Sequence, residues 1–444
     1  MTTIPHALHR IKGNLSQFLP STAIAAAAQN IHRPRRKRLL DATTTTYLFL
    51  RQLLHGNTAV AELRHLSGLD FTDSAYCQAR ARLPVHFFAQ LQRQTLERCP
   101  APSRWHGHRL FILDGSSFSM PDTEELQEFF GQPSAQAQGC GFPCAHLLVL
   151  FEHSRGYLWH SVLSPHGSHD LSQAALVQPR LRPGDILLGD RAFDSYAHLA
   201  LARQRQVHGL FRAHQKRLID FRPGRRHTNP GSKAQSGLPR SRWLKRLGRH
   251  DQLVEYQKPK EKPTWLSPQA YDALPPTLIV RELRLRIKVH GCRTQELTLV
   301  TTLTNPKRYS ARALARLYRS RWQVEVDLRH IKQTLKLDVL RCQTVPGIVK
   351  ELLLLVVLYN LVRRILVQAS QQQEVPLRRL SFVDALRWLR WSRPGQALVV
   401  LRVNPDRPDR LEPRVRKRRS KSYPYMTKPR ATLRQALLKQ QPAP

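Results

Sequence analysis

The feature that most restricts this chain is its charge. It carries 72 Lys and Arg against 31 Asp and Glu, a formal net charge of +41 over 444 residues and a sequence pI near 11.2. Self-repulsion on that scale opposes compaction unless the cations face a polyanion, most plausibly nucleic acid. With 41% hydrophobic residues the chain still has the material for a buried core, and its length allows two or three domains of roughly 150 residues each. A membrane surface is the competing partner. However, the longest apolar stretch, Leu352–Tyr359, sits between Lys350 and the Arg363/Arg364 pair and falls short of the roughly 20 residues a spanning helix needs, so no membrane role is expected. The first thirty residues lack a long apolar segment behind a basic one, and six cysteines at irregular spacings fit reduced thiols. The expected location is the cytoplasm, in association with the nucleoid.

Residues 1–105 read as helical, with Phe49, Leu50, Leu53 and Leu54, then Phe87, Phe88, Leu91 and Leu96, at helical spacing. They include the basic run Arg33-Pro34-Arg35-Arg36-Lys37-Arg38, which suits either a solvated tail or an arm on phosphates. From Arg109 the pattern changes. Leu110–Leu113 is a short apolar run closed by Asp114-Gly115, and His146–Phe151 and Tyr157–Leu163 flank the turn Ser154-Arg155-Gly156. A polar helix over His169–Gln178, a strand over Asp185–Leu188, a helix from Phe193 to about Arg205 and a strand over His208–Phe211 follow. Strands paired by hairpins and then alternating with helices imply an α/β fold, a mixed sheet flanked by helices.

Residues 215–300 break this order. Phe221–His250 contains no acidic residue while Arg and Lys accumulate among Gly and Pro, a composition that predicts a loop held only by a polyanion. Strand patterns at Leu253–Tyr256, Thr277–Lys288 and Glu296–Thr302 make the whole block a basic, β-rich insertion. Tyr309–Leu337 and Ile348–Ala369 read as two long helices, the second apolar enough to be buried, and a loose tail from about Gly395 ends on Arg414–Lys421. The expected domains are therefore 1–105, helical and DNA-binding; 106–214 and 301–372, the two parts of the core; 215–300, the insertion; and 373–444, a C-terminal region with a basic tail.

The segment from Tyr318 to Lys332 carries the most chemistry. At helical spacing Tyr318, Arg321, Glu325, Arg329 and Lys332 share one face, beside an apolar stripe of Leu317, Val324, Leu328, Ile331 and Leu335. One carboxylate is thus held among cations able to grip phosphates. The same spacing also suits a solvated face on which Glu325 pairs with Arg321 and Arg329. Two aspartates at strand ends offer themselves as companions, Asp114 and Asp190, the latter after Ile186–Gly189. Gathered together, three carboxylates repel unless protonated or metal-bound, and Mg²⁺ is the cation that takes carboxylates, waters and phosphate oxygens. Alone, each aspartate equally suits a turn or a cap.

Tyr318, Arg321, Glu325 and Lys332 match the Y-(2)-R-(3)-E-(6)-K signature, and the chain resembles the DDE transposases of the IS4 family. The resemblance extends to Asp114-Gly115-Ser116-Ser117, Met120-Pro121-Asp122-Thr123, Phe130-Gly131-Gln132-Pro133, Gly139–Pro143, Gly189-Asp190-Arg191-Ala192-Phe193 and the tail around Tyr423-Pro424, so that it spans roughly residues 75–430. It implies an RNase H-like catalytic core interrupted by the insertion, in which Asp114, Asp190 and Glu325 are catalytic and hold Mg²⁺, with Mn²⁺ able to substitute. Tyr318, Arg321 and Lys332 would contact DNA, and Arg329 is expected to join them from its place on the same helix face. It further implies cut-and-paste transposition of an insertion sequence, with cleavage at inverted-repeat ends, strand transfer into target DNA, and a homodimer on double-stranded DNA. The competing readings are a transposase-derived DNA-binding protein that no longer cuts and a metal-dependent nuclease that cuts without joining.

Asp122, Asp170 and Asp185 lie near these motifs but read as caps or turns, and Asp194 as at most a support for Asp190. Cys140-x-x-x-Cys144 with His146 is half of a zinc set at best. Trp322 and Trp243 read as packing residues rather than base-stacking ones.

Overall fold

The computed structural model describes residues 13–29, 31, 38–168, 170–228, 237–286, 296–405 and 426–440. Lys37 and its basic neighbours from Arg33, the Arg414–Lys421 run, His169 and Tyr423-Pro424 lie outside the described residues. The described residues begin with six helices, α1 (Leu15–Phe18), α2 (Ser21–Ala27), α3 (Ala42–Leu54), α4 (Glu62–Ser67), α5 (Asp73–Arg82) and α6 (Val85–Glu97). There follow β1 (Leu110–Ser119), α7 (Glu124–Phe130), β2 (Cys144–Glu152), β3 (Leu158–Pro165), α8 (Asp170–Val177), β4 (Ile186–Gly189), α9 (Tyr196–Gln204) and β5 (His208–Arg212). The second half contains β6 (Arg242–Gly248), β7 (Asp251–Gln257), α10 (Pro268–Asp272), β8 (Thr277–Arg286), β9 (Glu296–Thr301), α11 (Ala311–Ser320), α12 (Gln323–Arg329), α13 (Val345–Gln373), α14 (Phe382–Trp391) and α15 (Arg430–Gln440).

Among the described residues nine strands form one mixed sheet in the order β3-β2-β1-β4-β5-β9-β8-β7-β6. β1–β4 and β4–β5 pair in parallel and the other neighbours antiparallel. Alternation along β1 sends Leu110 and Ile112 to one face and Phe111 and Leu113 to the other. The first face is covered by α13 and the N-terminal helices, whose Phe49, Phe87 and Phe88 share a single apolar cluster with Leu355 and Leu358. The N-terminal helices are thus packed onto the core. The second face is covered by α8 and α9, through Ala174, Val177, Leu199 and Ala200.

Four local expectations are corrected. β1 does not end at Leu113 but runs to Ser119, because β2 stays paired with it to Ser119↔Cys144 after β4 has left at Ile112↔Leu188. Arg242–Gly248 is a strand, held to β7 by its ladder and by the Arg242–Glu255 ion pair at 3.0 Å. Its charges sit on an outer edge strand, so composition alone reads as loop. The 215–300 block continues the main sheet through β5–β9 pairing. Finally, α13 is longer than its apolar stretch suggests. By length and composition it could cross a bilayer, but 72% of its most apolar window is buried in protein, and Asn360 exchanges hydrogen bonds with the Leu158 backbone of β3 at 2.9 and 3.0 Å.

The added strands are locked to the rest by one buried cation. Arg281 of β8 donates to both carboxylate oxygens of Asp251, at 2.7 and 2.5 Å, and to the Tyr309 carbonyl at 2.6 Å, just ahead of α11. Arg281→Met strands a buried carboxylate, and we expect a loss of roughly 3–5 kcal/mol in denaturant unfolding. Pairing it with Asp251→Leu should restore most of that stability.

Candidate active site

The site is assembled by strand register. In the β1–β4 ladder Ile112 pairs with Leu188, so two residues further on Asp114 stands level with Asp190. In β4–β5, Gly189 pairs with Phe211, which sets Asp190 level with Arg212. Neighbouring strands lie about 4.8 Å apart, so a row of Asp, Asp and Arg crosses three parallel strands, at the carboxyl ends of β4 and β5 and midway along β1. Gly189 is required where the chain turns out of β4, because a Cβ there would meet the Phe193 ring at 2.8 Å and the Phe211 ring at 3.1 Å. Asp190 accepts the Ala192 amide at 2.8 Å, capping a short 3₁₀ turn over Arg191–Phe193 that fixes its carboxylate. Asp114 accepts the amide of Gly115 at 3.0 Å.

The opposing wall is the Tyr318–Lys332 segment, which is not the single helix its periodicity predicts. α11 starts at Ser310, whose hydroxyl accepts the Ala313 amide at 3.2 Å. At Arg321 and Trp322 the backbone tightens to i→i−3 bonds, Arg321 to Tyr318 at 3.1 Å and Trp322 to Arg319 at 3.3 Å. After α12 the chain widens into a π turn over His330–Thr334, closed by Leu335 to His330 at 2.9 Å. π turns of this kind recur at functional sites. The tight and wide turns rotate side chains by unequal amounts, so the expected five-residue face divides. The packing stripe holds, with Leu317, Val324, Leu328, Ile331 and Leu335 buried.

Tyr318 and Arg321 are buried, and Arg321 lies 3.8 Å from the Asp114 carboxylate and 3.8 Å from that of Glu325, bringing the three into one place. The Arg321 guanidinium also faces the Tyr318 ring at 5.7 Å. Lys332 turns to β1, donating to the Ser117 carbonyl at 2.7 Å. Arg329 stays exposed at the end of α12. Trp322, expected to pack, is 43% exposed beside Arg321. Trp243 is half-buried on β6.

Electrostatics confirm that the carboxylates sense one another. Burial pushes Asp114 up to about 6; the Arg321 charge and the Gly115 amide oppose the shift, and the negative charges of Asp190 and Glu325 add to it. Burial also raises the Tyr318 phenol, with Arg321 and Arg212 pulling the other way and Asp190 reinforcing it. Among the described residues no three His, Cys, Asp or Glu side chains are grouped closely enough to hold a metal ion. Between Asp114 and Glu325 stands a guanidinium instead. The three side chains offer carboxylate oxygens, the donors a hard divalent cation takes.

Two residues escape a reading of sequence alone. Arg212 follows an ordinary strand and gains meaning only from register. Asp327, two positions past Glu325, is buried against Arg363 of α13 at 3.5 Å, while Arg363 donates to the Arg155 carbonyl at 2.8 Å through Nε. This pair ties the Glu325-bearing helix to α13 and to the β2–β3 turn. The other aspartates have structural partners. Asp185 binds Arg109 at 2.8 and 2.6 Å, Asp194 binds Arg217 and the His214 amide, Asp170 binds His146 at 2.5 Å, and Asp122 accepts from Gln127 at 2.8 Å.

A mixed sheet ordered β3-β2-β1-β4-β5, with two aspartates level on adjacent parallel strands and a glutamate on a facing helix, is an α/β arrangement that can gather carboxylates beside a phosphate. The comparisons make the class specific. Residues 105–361 match the family described as the transposase DDE domain. Transposase InsG for insertion sequence element IS4 of Escherichia coli (strain K12) is 23% identical over 378 residues, covering 80% of this chain and 78% of InsG. The putative transposase InsZ of the same organism is 29% identical over 127 residues, 28% of this chain and 42% of InsZ. A piggyBac transposase in a synaptic complex with hairpin DNA is similar at a TM-score of 0.42 and 9% identity, over 88% of this chain and 80% of that one. The chain belongs to the family described as the transposase DDE domain and is an enzyme that acts on DNA by phosphoryl transfer. Domains of this family generally depend on divalent metal.

His198 of α9 is fully buried against Phe193 and Phe211, its Nδ1 3.1 Å from the Phe193 carbonyl, and burial lowers it to about 4. The unfolded chain takes up this proton near 6.5 and the folded one near 4, so stability falls as pH drops through that window. Thermal melts of His198→Phe should show a flatter acid limb, by on the order of 2–3 kcal/mol at pH 4 relative to pH 7.

Proposed function

We propose that this protein is a cut-and-paste transposase that cleaves phosphodiesters at the inverted-repeat ends of an insertion sequence and joins the freed ends to target DNA. The alignment of Asp114 with Asp190, with Glu325 across the Arg321 guanidinium, carries this reading. Asp114, Asp190 and Glu325 would hold Mg²⁺, or Mn²⁺ in its place. When bound, the metal supplies Lewis acidity at the attacking and leaving oxygens of the phosphodiester. The chain's own groups then do the positioning. Tyr318 and Arg321, buried on the α11–α12 wall, and Arg212, on the adjacent strand end, face the place where a scissile phosphate would lie, and Arg offers a fork of donors matched to phosphate oxygens. Lys332 holds the π turn against β1 and lies within reach of flanking phosphate, as does exposed Arg329. The surface excess of Arg and Lys supplies most of the affinity for DNA, independent of sequence. Two element ends need two active sites, so the DNA complex would be a homodimer, working in the cytoplasm on the nucleoid.

The test is a supercoiled plasmid bearing the gene's native flanks, incubated with wild type or Glu325→Gln in Mg²⁺ or Ca²⁺. Wild type in Mg²⁺ should yield breaks at both element ends and joined products, and Glu325→Gln should lose roughly a thousandfold in rate, the equivalent of several kcal/mol, while still binding. Breaks without joined products would make it a nuclease. Binding with no breaks by wild type in Mg²⁺ or Mn²⁺ would make it a DNA-binding protein. In a separate titration, Arg212→Ala should weaken end binding and reduce the dependence of log K on log salt by about one.

A further inference from the structure

We propose that Arg321 is an internal counter-cation, which keeps the carboxylate set closed to metal until a DNA phosphate draws its guanidinium away. This rests on the reading of Asp114, Asp190 and Glu325 as metal-holding residues. The Arg321 side chain is only 10% exposed and straddles two carboxylates from different elements, Nη1 facing Asp114 on β1 and Nη2 facing Glu325 on α12. Both separations are 3.8 Å, close enough for charge attraction but too long for hydrogen bonds. No hydrogen bond to either carboxylate holds the guanidinium, which also lies over the Tyr318 ring at 5.7 Å. Arg321 Nε is buried with no hydrogen-bond partner among the described residues, an uncommon state for a group that offers five donors. A buried donor left unpaired makes this arrangement one that a better acceptor would displace.

The better acceptor is a phosphate. It can take a guanidinium through two parallel charge-assisted hydrogen bonds, which neither carboxylate makes with Arg321 here. When the phosphate takes Arg321, Asp114 and Glu325 lose their shared cation, and the repulsion among the three carboxylates is relieved by a divalent ion instead. Arg321 also stands at the tightened i→i−3 turn between α11 and α12, where its side chain leaves the regular helix ladder. The device couples two binding events through one side chain. DNA raises metal affinity, and by linkage metal raises affinity for the DNA end to the same extent. Off its DNA end, the protein would carry little metal in the site and would nick little.

The experiment measures Mn²⁺ affinity by electron paramagnetic resonance on the full chain, for wild type, Arg321→Gln, Arg321→Lys and Glu325→Gln, with and without a duplex of the native element end. Without DNA, Arg321→Gln should bind Mn²⁺ about tenfold more tightly than wild type, whereas Arg321→Lys, which keeps a cation, should stay near wild type. Adding duplex should tighten Mn²⁺ binding to wild type by a similar factor, after subtraction of Mn²⁺ bound by duplex with Glu325→Gln. Equal or weaker Mn²⁺ binding by a folded Arg321→Gln, or no gain in wild type on adding duplex, overturns the proposal. Mn²⁺ binding that Glu325→Gln leaves intact in every condition would instead overturn the metal-holding role of Glu325 itself.

Discussion

The site depends on the parallel pairing of β1, β4 and β5. Because β4 leaves β1 after Ile112 and turns out at Gly189, both aspartates emerge at the same height on neighbouring strands, and Arg212 emerges beside them. A one-residue slip in either ladder would send an aspartate to the opposite face. Register is held by burial on both faces, with Leu110, Ile112, Ile186 and Leu188 against α13 and the N-terminal helices and Phe111, Leu113 and Leu187 against α8 and α9. Hydrophobic packing far larger than the site thus sets the position of three charged groups.

The second constraint is electrostatic. A chain of net charge +41 keeps its few carboxylates where they matter: Asp185 on Arg109, Asp194 on Arg217, Asp251 on Arg281 and Asp327 on Arg363 brace the scaffold. Asp114 and Glu325 differ from these, sharing one guanidinium at a distance that permits no hydrogen bond. Asp327 and Arg363 also stand 3.5 Å apart, so the looser compensation of Asp114 and Glu325 is one of degree. Burial, more than any neighbouring charge, raises Asp114.

Much of this was legible beforehand. Helical spacing placed Tyr318, Arg321 and Glu325 together, turn signals put Asp190 at a strand end, and the apolar pattern of Ile348–Ala369 marked the buried helix, whereas Asp114, read as a strand end, lies inside β1. Other features were hidden for physical reasons. Arg242–Gly248 forms a strand because β7 pairs with it, whereas its own composition says loop. Lys332 leaves the expected face because the π turn changes the helical phase, and no propensity encodes that turn. Asp327 looks like any surface carboxylate until Arg363 is seen against it.

By itself, the sequence determined the class of chemistry, since the ordered motifs, the excess of cations and the carboxylates at apolar-run ends are local properties of the chain. Only the tertiary structure decided which charges meet. Register aligns Asp114 with Asp190 and Arg212, and the fold of the α11–α12 turn onto β1 sets Arg321 between Asp114 and Glu325. Those contacts join residues far apart in the chain, and they follow from packing both faces of one sheet at once, which no local pattern contains.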